Sequence, residues 1–110
     1  MSKTIHHIDY SQETEVLARF AKALGHPTRL IILKYLSNQS CCYTGDLVDA
    51  LPLAQSTISQ HLKELKEAGL IEGEISPPKI KYCIHQKNWQ KAKALFSTLF
   101  KEDFNDIKCC

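Results

Sequence analysis

Two sets of residues in this 110-residue chain could do chemistry. The first is sulfur: Cys41 and Cys42, Cys83, and Cys109 and Cys110, two adjacent pairs and one single. Thiolates without imidazole or carboxylate company favour soft acceptors such as trivalent arsenic, trivalent antimony or thiophilic metals. The same groups are what oxidants and reactive sulfur attack. The second set is a polar run, Gln55, Ser56, Thr57, Ser59 and Gln60, continued by His61 and Lys63. Gln55, Ser56, Ser59 and Gln60 can donate to and accept from base edges. Thr57, Lys63, Lys79 and Lys81 suit phosphates, which position a protein without reading sequence. His61 either braces its helix against the scaffold or reaches the nucleic-acid backbone. No Ser-His-Asp set, phosphate loop or paired carboxylates stand out, so the chain reads as a non-enzyme.

Composition bounds where such residues can work. At 44% hydrophobic and 24% charged the chain is an ordinary globular protein, which excludes collagen-like and disordered readings. Its length predicts one domain spanning residues 1–110. No run approaches the roughly 18 apolar residues of a membrane helix, and no membrane partner is expected. The first residues lack the apolar core of an export signal. An odd cysteine count then argues against a disulfide framework and for a reducing, cytoplasmic setting. Residues 55–93 hold seven lysines against four glutamates, while the formal net charge is only +2, so the basic bias is local.

Helical spacing dominates the chain. Val16, Leu17, Phe20, Ala21 and Leu24 predict an amphipathic helix over about 12–24, ended by Gly25. Pro27 opens a second, where Leu30, Ile31, Ile32, Leu33 and Leu36 predict a central, buried element. Ser37 to Ser40 is read as a polar break. A short third helix is expected from Thr44, as its cap, to Leu51, stopped by Pro52. A fourth runs from about Gln55 to Ala68 with Ile58, Leu62 and Leu65 inward and Gly69 as its stop. Two short strands around Pro77-Pro78-Lys79 form a hairpin over about 70–85. A last helix over about 87–107 carries Trp89, Ala92, Phe96, Leu99 and Phe100 on one stripe, prolonged by Phe104 and Ile107.

That order predicts a mainly α fold with a small β-hairpin: a winged helix-turn-helix, its helix-turn-helix at about 44–68 and its wing at about 70–85. The first and last helices keep apolar faces that a chain this short cannot cover alone, which predicts a homodimer paired through them.

The stretch Gln55-Ser56-Thr57-Ile58-Ser59-Gln60-His61-Leu62-Lys63-Glu64-Leu65 through Gly69-Leu70-Ile71 resembles the recognition-helix motif of the ArsR/SmtB family of bacterial repressors. Leu24-Gly25-His26-Pro27-Thr28-Arg29-Leu30 is similar to that family's other hallmark, and Asp46 to Leu51 fits the helix between. The resemblance covers about residues 13–100. It implies a dimeric winged helix-turn-helix repressor that binds double-stranded operator DNA and leaves it when an inducer binds. Inducers in such proteins are often metal or metalloid ions, and in some members oxidants or reactive sulfur. Ala54 stands where family members commonly have Ser, a lost cap that typically costs ~1 kcal/mol.

The family's metal ligands are not carried over. Tyr43 and Gly45 occupy the positions of its Cys-X-Cys pair, and no histidine follows Gln86, so the last-helix site is absent. Sulfur remains: no cofactor is obligatory, and the inducer expected is trivalent arsenic or antimony, or another thiophilic metal, on Cys41 and Cys42 with a third sulfur from Cys109 or Cys110. The alternative is a thiol redox or reactive-sulfur sensor. Cys83, alternating with Tyr82 and Ile84, is most simply packing. A reading of another class, a dimeric interaction module without DNA binding, would place acidic or apolar residues at 55–60.

Overall fold

Ser11 starts the first helix, its hydroxyl accepting the Thr14 N–H at 3.3 Å. The computed structural model describes residues 11–39, 41–76 and 79–101. Helix α1 is Gln12–Leu24, with Glu13 and Glu15 in the first turn and Lys22 in the last, each placed favourably for the helix dipole. The Gly25 N–H closes it on the Lys22 carbonyl at 3.2 Å. Helix α2, Pro27–Gln39, follows at once. The order continues β1 (Cys41–Tyr43), α3 (Thr44–Ala50), α4 (Gln55–Glu67), β2 (Ile71–Ser76), β3 (Lys79–Ile84) and α5 (Gln86–Phe100). The three strands make one antiparallel sheet in the order β1-β3-β2.

The core forms where these elements converge. Ile32 and Leu36 from α2, Leu47 from α3, Ile58, Leu62 and Leu65 from α4, and Leu70 are each 0% exposed. Phe20 and Ala23 of α1, Ile71 of β2, Ile84 of β3 and Ala92 of α5 complete it. The spacing of 58, 62 and 65 is one face of a helix, so burying it turns 55, 56, 59 and 60 outward.

Several local expectations are corrected. Helix α2 runs through Ser37, read as a break; the Ser37 hydroxyl donates to the Lys34 carbonyl at 2.8 Å and stays within the helix. Leu30 and Ile31 are 44% and 49% exposed rather than buried. Four consecutive apolar residues at 100° per residue surround a helix, and only one side faces the core. Thr44 is the first helical residue, not the cap; Tyr43 precedes the helix, and its N–H donates to the Asp46 carboxylate at 3.1 Å. The hairpin gains a third strand, β1, whose three residues, Cys-Cys-Tyr, carry no apolar-polar alternation in sequence. Phe104 and Ile107 lie outside the described residues.

Gly69 makes the turn from α4 into the wing. Its φ is +88°, and its N–H bonds the Lys66 carbonyl at 2.9 Å. Its carbonyl accepts the Asn88 side-chain amide at 2.8 Å, and the His85 N–H reaches the Leu70 carbonyl at 3.0 Å, tying the start of α5 to this turn. A Cβ at position 69 would lie 2.9 Å from Asn88 Nδ2. Gly69→Ala is therefore expected to destabilise the fold by about 1–2 kcal/mol from backbone conformation alone, with more from displacing Asn88. Urea denaturation measures it, and an unchanged midpoint would contradict this account of the turn.

Candidate nucleic-acid interface

Helix α4 presents its polar residues as its inner face requires. Gln55, Ser56, Thr57, Ser59, Gln60 and Lys63 are all exposed. Ala54 precedes the helix without a side-chain cap bond, so the first N–H groups of α4 have no side-chain partner there. The Gln60 amide donates to the Glu64 carboxylate at 3.4 Å, a long bond one helical turn away.

The wing supplies the opposite wall. Tyr43, Asp46, Gln55, Ser59, Lys79 and Tyr82 line a hollow of about 590 Å³ between α3, the start of α4 and β3. Lys79 is exposed, its ammonium 5.2 Å from the centre of the Tyr43 ring, a cation–π distance that holds it near the hollow's rim. The structure thus brings Gln55, Ser59 and Lys79 to one place. Lys81 is engaged differently, paired at 3.6 Å with Glu74, its cross-strand neighbour. That pair is solvent-accessible and weak, so Lys81 can exchange it for a phosphate.

His61 faces the other way. Its ring lies 4.4 Å from that of His26, and the Arg29 guanidinium sits 3.3 Å from its Nδ1. Arg29 also donates to the Ala23 carbonyl at 2.6 Å. Burial first, then the neighbouring His26 and Arg29, hold the His61 imidazole below its ordinary pKa, against a smaller pull from Glu64. A neutral imidazole suits a ring accepting from a cation. His61 thus braces α4 against the start of α2. Spacing alone gave no sign of Arg29 in this role, nor of Tyr43, Asp46 and Tyr82 at the hollow.

The cysteines are arranged unlike their order in the chain. Cys41 and Cys42 sit on a strand, where neighbours point to opposite faces. Cys42 is 4% exposed in the core, and burial, with the Asp46 charge adding, pushes its thiol up to about 11. Cys41 is bonded instead to Cys83, directly opposite it on β3. Both the expectation of unpaired thiols and the packing role for Cys83 are corrected by this bond. Cys109 and Cys110 lie outside the described residues. Among the described residues no three His, Cys, Asp or Glu side chains gather as a metal site.

Comparison with known proteins follows the same lines. Residues 26–73 match the family described as "Bacterial regulatory protein, arsR family". The HTH-type transcriptional regulator YgaV of Escherichia coli is 36% identical over 85 residues, covering 77% of this chain and 83% of YgaV. The HTH-type transcriptional repressor SmtB of Mycobacterium tuberculosis is 44% identical over 62 residues, 56% of this chain and 44% of SmtB. A solved possible transcriptional regulator for arsenical resistance superposes with a TM-score of 0.69 at 27% identity, covering 80% of this chain and 88% of that one.

A duplex laid along α4 would meet Gln60 on the helix and Lys79 on the wing, and the two make different expectations. Gln60→Ala is expected to weaken binding to a specific duplex by about 1–3 kcal/mol while leaving non-specific binding alone. Lys79→Ala should weaken all duplexes alike and lower the salt slope by about one. Fluorescence anisotropy across a salt series checks both. Unchanged affinity in a folded Gln55/Ser59/Gln60 triple alanine variant would remove α4 as the reading helix.

Proposed function

Since the chain belongs to the arsR family of bacterial regulatory proteins, whose members are DNA-binding transcription regulators, we propose that it is a sequence-specific repressor lifted from its operator by a thiol-directed inducer. One observation carries the DNA-binding part. Helix α4 buries Ile58, Leu62 and Leu65 and thereby offers Gln55, Ser56, Ser59 and Gln60 outward, with Lys79 across a shared hollow. A helix laid in the major groove reads with its N-terminal residues, which are these. Thr57, Lys63 and Lys81 serve the phosphates, and His61 acts from behind through Arg29 and His26. A repressor works beside the chromosome, which makes the cytoplasm its place of action.

The working unit is a homodimer through α1 and α5. Phe100 and Leu99 are 75% and 48% exposed on α5. Leu24, Leu70, Trp89, Ala92 and Phe96 line an open groove of about 360 Å³ beside them. Exposed apolar side chains together with an apolar groove favour a self-complementary contact. Leu99→Asp and Phe100→Asp, at exposed positions, are expected to leave the fold intact and give monomers that no longer hold a two-fold operator. Sedimentation velocity at micromolar concentration tests this, and a monomeric unmodified protein would contradict it.

The inducer part rests on sulfur. Trivalent arsenic or antimony would take Cys41 and Cys42 with Cys109 or Cys110, a reading supported by the structural relative described for arsenical resistance. For Cys42 to share an ion with Cys41, it must leave the core. A second reading, thiol oxidation or reactive-sulfur sensing, rests on the same cysteines, of which Cys41 is half-buried and open to small reagents. In either case the inducer must bind the DNA-free form more tightly by the factor that it weakens DNA binding. Titrating the reduced protein on operator DNA with arsenite, antimonite, cadmium, zinc and persulfide separates the two. Release by arsenite, lost in the Cys41→Ser/Cys42→Ser double variant, is expected for the metalloid site. Arsenite release that survives in the double variant rejects that site, and release by persulfide alone selects the second reading.

A further inference from the structure

Cys41 and Cys83 are partners in the β1–β3 register, with Cα atoms 4.0 Å apart and 42 residues between them in sequence. Both are half-buried, so small reagents can reach them, whereas Cys42 on the opposite face of β1 is closed in the core. Among the described cysteines, the register and not adjacency in the chain selects which two sulfurs join. The bond encloses α3, α4 and the wing in one covalent loop.

Each end of that bond leads to the reading surface. Tyr43, two residues beyond Cys41, precedes α3 and carries Lys79 over its ring. Tyr82, next to Cys83, lines the hollow that Gln55, Ser59 and Lys79 share. Without the bond, β1 is held at the edge of its sheet by three residues of pairing, the short end of the usual strand length, and by the burial of Cys42. With it, the sheet edge next to α3 cannot separate from the wing.

We propose that Cys41 and Cys83 form a reversible redox staple that fixes the wing against the helix-turn-helix, so that the oxidised protein binds its operator more tightly than the reduced one. The proposal rests on the DNA-binding reading above. The oxidant is a low-molecular-weight disulfide. One thiolate of the pair attacks a sulfur of that disulfide and expels a small thiolate. The second thiolate then attacks the resulting mixed disulfide at the protein sulfur and expels the other. The protein gives up two protons and two electrons, and the small disulfide becomes two thiols; an excess of small thiol reverses both steps. Closing the loop removes freedom from the disconnected states and leaves the DNA-reading arrangement favoured, which is preorganisation.

The test uses the full chain without substitution, equilibrated in glutathione buffers of graded thiol-to-disulfide ratio. Peptide mapping after alkylation of free thiols reads which cysteines join, and anisotropy reads operator affinity in the same samples. A Cys41–Cys83 linkage is expected, with affinity about 5- to 150-fold higher in the oxidised form, the usual range of coupling between two sites. The gain should persist in a Cys109→Ser/Cys110→Ser variant and vanish in Cys83→Ser, whose affinity should match that of the reduced unmodified protein. Linkage without a change in affinity, weaker binding on oxidation, or linkage through other cysteines would each overturn the staple. Absence of operator binding in both redox forms, with the linkage mapped, would instead show that the DNA-binding reading had failed and the staple's function with it.

Discussion

The structure depends on the burial of one face of α4. Ile58, Leu62 and Leu65 are each fully enclosed, in a core cluster that also holds Ile32, Leu36, Leu47 and Leu70. Removing each such side chain from water contributes roughly 1.5–3 kcal/mol. Rotating α4 by one residue, 100°, would expose this face and bury amides and hydroxyls instead. The polar surface of α4 is therefore fixed in direction by its core, without any contact of its own. That is why the missing cap at Ala54 is tolerated: the packing, not the first turn, holds the helix in phase.

Arg29 extends that constraint to the neighbouring helices. It donates to the Lys22 and Ala23 carbonyls at the end of α1 and approaches His61 on α4. A cation at those carbonyls also complements the negative end of the α1 dipole. The ring nitrogen of His61 that faces the guanidinium serves as an acceptor only when unprotonated, and His61's lowered pKa keeps it so at neutral pH. The His26 ring packs on the other side, its own Nδ1 taking the Thr28 N–H at 3.1 Å. The end of α1 and the middle of α4 are thus joined through one guanidinium.

Much of this was legible in the sequence, and the exceptions share a physical origin. Helices α1, α4 and α5 repeat their apolar residues over several turns, and Gly69 ends α4 as its conformational freedom suggests. The polar run at 55–60 falls on the outside of α4 because its phase follows from Ile58, Leu62 and Leu65. What stayed hidden depends on tertiary neighbours. Strand β1 has three residues and no period to read. Leu30 and Ile31 look as apolar as Ile32 and Leu33, and only the position of the core decides which pair is covered. The hollow needs β3 to be placed beside α3, which no local pattern encodes.

The cysteines make the same point in chemical terms. Adjacent cysteines suggest a chelate when read along the chain, because two ligands one residue apart look close. A strand reverses that inference, since its side chains alternate and neighbours face apart. Cys42 accordingly becomes a core residue, and for as long as it stays there burial keeps its sulfur protonated near neutral pH, a poor nucleophile and a poor ligand. Cys41 is directed to the residue across the ladder, and that residue is a cysteine 42 positions later. The sequence distance between them spans the helix-turn-helix and the wing, so the sulfur pair belongs to the part of the fold that would meet DNA. Whichever chemistry acts on these thiols acts on that unit, while α1 and α5 lie outside the loop.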